Sequence, residues 1–227
     1  MSVLLFISFY IINDVPEKWQ EENESNRRNI MIICIGREFG SGGHEIGKEV
    51  ADRLGFTFYD RTLVEEALSR STIPPEELER ADEKKHNPWL HRIWYDAQNE
   101  ELRGLSANDM LFSIHSKLIT ELASEDNCVF IGRCADYILQ SAGIERISLF
   151  IAAPFQDRVK RKMELLQMNE KNTITLVRKT DKERKAYYDY YTGRSWGKPH
   201  NYDFCINSSN YGIQRTAEVL AEKLAQM

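Results

Sequence analysis

The 227 residues carry 30 Lys and Arg against 35 Asp and Glu, a net charge of -5, whereas a protein that works mainly on nucleic acid needs a surplus of basic surface to neutralise phosphates. That balance argues against stable nucleic-acid binding and leaves only local basic patches. With 42% hydrophobic and 29% charged residues, the composition is ordinary for a globular protein, and the length suits one domain with a mobile subdomain.

The chain opens with an apolar run over residues 3–12, VLLFISFYII. It is too short to cross a bilayer as a helix, and it has neither the basic start nor the small-residue cleavage site of a signal peptide. No membrane partner is expected. Residues 13–30 are polar and charged, and they stop where the first core strand begins. Two readings of the tail 1–30 stand. In one, Met31 is the natural start and Arg27-Arg28 translates a purine-rich ribosome-binding sequence. In the other, the tail is an extra strand or partner-binding segment. The first is the expectation carried forward.

Residues 31–54, MIICIGREFGSGGHEIGKEVADRL, organise the rest. Met31 to Ile35 form a β-branched apolar run suited to a buried strand of a parallel sheet. Ile46, Val50, Ala51 and Leu54 recur at helical spacing. Between them Gly36, Gly40, Gly42 and Gly43 place four glycines in eight residues. A glycine loop that leads into a helix N-terminus aims free N–H groups and a positive dipole end at one point, which suits a phosphate. On this reading a Cβ at Gly42 or Gly43 would intrude on the ligand and weaken nucleotide binding more than folding. In the register of a phosphate-binding loop (P-loop), which ends in Gly-Lys-Ser/Thr, this chain has Gly42-Gly43-His44, so the lysine is missing. No G-x-G-x-x-G dinucleotide fingerprint can be placed on these glycines.

Further along, residues 55–60 read as a short strand ending in Asp60, followed by helices over 62–69 and from Pro74-Pro75. Residues 82–107, charged and aromatic, read as a helical insertion bordering the substrate site or as plain packed surface. Asp109 to Leu122 predicts a long amphipathic helix. Cys128 to Arg133 predicts a strand whose C-terminal Arg133 lies on the same rim as the glycine loop, where open α/β sheets bind ligands. Residues 146–153 give another core strand, and Pro154 opens a helix bearing Arg158, Lys160, Arg161 and Lys162. Residues 173–196 pair a basic run with Tyr187, Tyr188, Tyr190 and Tyr191. That pattern fits either a nucleic-acid platform or a lid closing on a nucleotide. Tyr202 to Asn207 is the last strand, and a helix carrying Ile213, Ala217, Leu220 and Leu224 follows. Alternating strands and helices imply an α/β fold with a parallel sheet covered on both faces. Cys34, Cys128, Cys134 and Cys205 contain no CxxC pair and are expected as free thiols in a reducing, cytoplasmic setting, with no metal site.

Five stretches, GREFGSGGHEIG, LGFTFYDR, GRCADYIL, KTDKERKAYYDYYTGRSW and NYDFCINSS, together resemble the cytidylate kinase-like family over residues 31–227. The resemblance implies a P-loop NTPase fold of the nucleoside-monophosphate-kinase type: a five-stranded parallel sheet in order 2-3-1-4-5, flanked by helices, with a helical lid over 155–197. It also implies transfer of phosphate from ATP, with Mg2+, to CMP or dCMP as the nucleoside monophosphate substrate. The alternative is a nucleotide-binding regulatory module of the same fold with little or no turnover.

Carried onto this chain, Gly36, Arg37, Gly40, Ser41, Gly42, Gly43 and His44 would hold the ATP phosphates. Asp60, Arg133, Asp181 and Arg184 would meet the acceptor. Gly43 stands in place of the loop lysine, His44 in place of the magnesium-holding hydroxyl, and Cys134 in place of the acid that reads cytosine. Phosphoryl transfer needs positive charge around the transferred group, and another cation could replace the lysine. Arg37 or Lys48 are nearest, with Arg158, Arg161, Arg178 and Arg184 arriving on lid closure. Arg37, Arg133, Arg178, Asp181 and Arg184 therefore make up the expected catalytic set. The oligomeric state is not legible.

Overall fold

A computed structural model describes residues 30–60 and 107–227. The expectations for the tail, for the helices over 62–69 and from Pro74, and for the insertion over 82–106 lie outside the described residues. Strand β1 (Ile32–Arg37) leads through the glycine loop into helix α1 (Gly43–Leu54), then β2 (Thr57–Tyr59). Next come α2 (Ala107–Glu125), β3 (Cys128–Ile131), α3 (Ala135–Ser141) and β4 (Ile147–Ala152). Two consecutive helices follow, α4 (Phe155–Leu166) and α5 (Glu170–Thr192), before β5 (Phe204–Asn207) and α6 (Gly212–Leu224).

The five strands form one sheet in the order β2-β3-β1-β4-β5, and every pairing is parallel. Its centre is β1, buried on both faces, which explains why Ile32 to Ile35 read as a continuous apolar run rather than an alternating one. Ile32 and Cys34 point to a layer with Phe112, Ile119, Ile138 and Tyr188. Ile33 and Ile35 point to the opposite layer with Ile46, Val50, Ala217 and Leu220. Register places Ile35 beside Ile131 of β3 and Arg37 beside Ile151 of β4. The chain leaves β1 toward β2 on one side and leaves β4 toward β5 on the other. The crevice beyond the carboxyl ends of β1 and β4 is thus the switch point at which such sheets bind ligands.

Two elements differ from the sequence reading. Helix α3 was not expected. It follows three successive left-handed residues, Gly132, Arg133 and Cys134, with φ of 74°, 56° and 58°, and only the first is a glycine that would advertise the turn. The second difference lies in α5, a continuous 23-residue helix capped by Asn169 and Gly193. Its C-terminal half belongs to the core: Tyr188, Tyr190 and Tyr191 are buried, and the Tyr191 ring stacks on Phe112 at 4.1 Å. Those tyrosines form no platform for bases. Among the described residues no helix is long and apolar enough to cross a membrane.

The Tyr188 hydroxyl donates to the buried carboxylate of Asp136 in α3 at 2.7 Å, tying α5 to the sheet. Burial holds that carboxyl above the ordinary aspartate range, against the pull of the Tyr188 bond and of Arg194 and Arg146. A raised folded-state value means stability that is complete below the unfolded value and lost as pH rises through the folded one. Asp136→Asn, which cannot ionise, should therefore gain stability relative to the wild type as pH rises from about 4 to about 7. Urea unfolding of both chains across that range checks this, and a pH-independent difference would contradict it.

Candidate active site

The glycine loop leaves β1 still paired to β4, with the Glu38 N–H donating to Ile151 O at 3.0 Å. It then folds onto α4 so closely that a Cβ on Gly40 would lie 2.8 Å from the Arg158 carbonyl oxygen. Gly40 and Gly42 take φ of 88° and 80°, values that favour glycine. Within the loop, the Ser41 hydroxyl donates to Glu38 O at 2.9 Å. From β5's end, the Ser208 hydroxyl donates to Ser41 O at 2.6 Å. The first intrahelical bond of α1 runs from Ile46 N–H to Gly42 O. The N–H groups of Gly43, His44 and Glu45 therefore precede the helix ladder and face its open end.

Arg158 braces this loop. Its guanidinium is buried. It donates through Nε to Ala153 O at 3.0 Å and through Nη1 to Phe39 O at 3.1 Å, and it pairs with Asp181 and Glu38. Asp181 also accepts the Phe39 N–H at 2.8 Å, and Glu38 accepts the Ala153 N–H at 2.9 Å. Loop, β4–α4 corner and α5 are thus joined through one cation and two carboxylates. The sequence placed Arg158 on ATP and Asp181 on the acceptor; in the structure both are engaged with loop backbone. Arg161 likewise pairs with Glu45 at 2.9 Å, and His44 with Asp60 at 2.6 Å. Arg178 is exposed on α5 with its guanidinium 5.3 Å from the centre of the Phe155 ring. Lys48 pairs with Asp52 on the surface of α1.

Three other arginines converge. The Arg184 Nη1 donates to the Arg37 carbonyl at 3.0 Å, and the Arg184 guanidinium lies 5.5 Å from the centre of the Phe39 ring. Burial, then the positive charges of Arg184 and Arg133, bring the Arg37 guanidinium down to about 9, with Asp60 opposing. Arg37 thus joins Arg184, which bonds its carbonyl, to the β3 end, where its Nη1 lies against Gly132 next to Arg133. Burial also lowers Arg184.

Sequence reasoning missed four contributors: Glu38 and Ser208 as braces, Lys162, and His115. Lys162 Nζ lies 4.6 Å from the centre of the Phe39 ring. His115 of α2 is fully buried with neither ring nitrogen hydrogen-bonded among the described residues. Burial, then Arg133, pushes it down to about 3, so it is neutral. Only the helical spacing of α2 hinted that His115 faces inward. Three of the cysteines are buried, and burial raises Cys34 and Cys134 well above the ordinary thiol value and Cys128 to about 12. Cys134 is buried at the start of α3.

A parallel sheet in this order, with a glycine loop between its central strand and the following helix, defines a P-loop kinase fold. Comparison with solved structures agrees. An uncharacterized protein from Eubacterium ventriosum ATCC 27560 matches with 25% identity and a TM-score of 0.65, over 87% of this chain and 99% of that one. Shikimate kinase from Bacteroides thetaiotaomicron shares the fold at 14% identity and a TM-score of 0.51, over 86% of this chain and 98% of its own. None of the curated proteins matches the sequence. The cytidylate kinase-like family model matches residues 32–210, and the chain belongs to that family.

The glycine expectation changes with this geometry. A Cβ on Gly42 would lie 2.7 Å from the Ile213 side chain, and one on Gly43 2.5 Å from Arg37 Cβ; neither points into open ligand space. Gly42→Ala should lower the melting temperature, since it adds strain at positive φ to a clash with α6, and a thermal melt without nucleotide reads this directly. Arg158→Met strips the cation from two partly buried carboxylates and should cost about 3–5 kcal/mol. An unchanged urea midpoint would mean that the loop is held by other contacts.

Proposed function

We propose that the chain transfers the γ-phosphoryl group of ATP to the phosphate of a nucleoside monophosphate, with CMP or dCMP as the acceptor that the family points to. The observation that supports this most is the placement of Arg37, whose stem lies over Gly43 at the start of α1, whose guanidinium rests against Gly132 next to Arg133, and whose carbonyl accepts from Arg184. Anionic donor and acceptor repel one another, and clustered guanidinium groups lower that cost while holding the reacting oxygens in line.

In the step, a non-bridging oxygen of the acceptor phosphate dianion forms a bond to the γ-phosphorus. The bond from that phosphorus to the β,γ-bridging oxygen breaks, and its electron pair stays on ADP. No proton needs to move when the acceptor is fully ionised. On this reading the α1 N-terminus and the loop N–H groups hold donor phosphates, and Arg133 grips the acceptor phosphate through two of its N–H groups. Arg184 joins Arg37's backbone to α5, so it couples the rim to the helix that the family uses as a lid.

Among the described residues no cluster of three His, Cys, Asp or Glu side chains could hold a metal. His44, where a phosphate loop carries its metal-holding hydroxyl, bonds Asp60 instead. Magnesium would arrive bound to ATP, and its own coordination would come from phosphates and water.

The test is mass-spectrometric detection of diphosphate and ADP from a panel of nucleoside monophosphates with ATP and magnesium. The expected result is product with at least one pyrimidine monophosphate. ATP binding with no product from any member would favour a regulatory nucleotide-binding module.

A further inference from the structure

We infer that Arg37, at the end of β1, supplies the positive charge on the β- and γ-phosphates that a lysine at the first residue of α1 would otherwise supply. The inference rests on the ATP-dependent reading above and deepens it.

The geometry makes Arg37 and a loop lysine mutually exclusive. A Cβ on Gly43, the first step of any longer side chain there, would stand 2.5 Å from Arg37 Cβ and 3.1 Å from Arg37 Cγ. Non-bonded carbons do not approach so closely. The Arg37 stem thus occupies the space over the start of α1, and Gly43 is the residue that leaves room for it. From there the side chain reaches the β3 rim. A Cβ on Gly132 would lie 1.9 Å from Arg37 Nη1, so the guanidinium rests against the backbone at Gly132, next to Arg133. Its path runs from the loop, where donor phosphates would sit, to the rim, where the acceptor phosphate would sit.

Three of the other cations near the loop are engaged elsewhere. Arg158 is bound to Asp181, Glu38 and two carbonyls, Arg161 to Glu45, and Lys48 to Asp52. The Arg37 guanidinium, by contrast, makes no hydrogen bond or ion pair with any described side chain; Arg184 and Arg133 repel it, and Asp60 attracts it. A partly buried cation with two cations for neighbours is a poor arrangement in the empty site and a good one around a polyanion. Its backbone is fixed on both sides, by β4 pairing at Ile151 and by Arg184 at the carbonyl, so little conformational freedom is lost when phosphate binds.

The experiment measures ATP and AMP binding by calorimetry, and turnover with the best acceptor, for the wild type, Arg37→Met and the exchange Arg37→Gly with Gly43→Lys. Arg37→Met keeps the stem over Gly43 and removes the charge; thermal melts establish that each chain is folded. AMP lacks the β- and γ-phosphates. Arg37→Met should weaken ATP about tenfold or more while AMP changes less than about threefold, and turnover should fall about a hundredfold or more. The exchange should regain at least about tenfold of the turnover, because the lysine then has the space that the arginine stem had filled. Equal losses for ATP and AMP, or ATP affinity within about threefold of the wild type, would overturn the assignment. An Arg37-dependent preference for ATP over AMP in a protein that turns over no monophosphate would sustain this inference while removing the transferase reading. Product formation indifferent to Arg37 would do the reverse. If the exchange alone fails to fold, the Arg37→Met comparison of ATP with AMP still decides.

Discussion

The site depends on the buried guanidinium of Arg158. A loop built from glycines has little stiffness of its own, because each glycine widens the range of backbone conformations. Here the stiffness is borrowed. Arg158 takes the Phe39 and Ala153 carbonyls, and its two carboxylate partners take the Phe39 and Ala153 N–H groups. The buried cation thus meets two carboxylates and two carbonyls, and such pairing lowers the cost of burying its charge. The network also ties the loop to α5, so the position of the phosphate-facing N–H groups is set by an element far along the chain.

This division of labour separates arginines that build the site from those left to act in it. Arg158 and Arg161 neutralise acids of the chain itself. The positive charges of Arg133 and Arg184 act on Arg37 at the end of β1, and His115, lowered by its burial and then by Arg133, is neutral. Like charges gathered at the carboxyl end of a parallel sheet, beside a helix N-terminus, make a local region of positive potential. The chain's net charge of -5 keeps that positive potential local.

Much of the frame was legible because burial on two faces leaves a strong signal. The runs Met31–Ile35, Cys128–Ile131 and Ile147–Ala152 admit few alternatives to central strands, and the glycines after the first mark the ligand loop. The partners of each charge were not legible. Asp181 and Arg158 are 23 residues apart on different helices, and nothing in their neighbours distinguishes a brace from a ligand. Helix α3 escaped because left-handed backbone at Arg133 and Cys134 has no sequence mark. The tyrosines of 187–191 look alike in sequence, whereas their place in the helix turns 188, 190 and 191 toward the core. The choice between Arg37 and Lys48 needed coordinates as well: the Arg37 stem lies over Gly43, whereas Lys48 pairs with Asp52.

The most direct measurement is a crystal structure of the chain with a non-hydrolysable ATP analogue and magnesium. The account predicts the β- and γ-phosphates against the N–H groups at the start of α1, with the Arg37 guanidinium within hydrogen-bonding distance of a γ-phosphate oxygen and the Arg158–Asp181 pair intact. Phosphates bound elsewhere, or an Arg37 side chain turned away from them while another cation takes its place, would contradict it.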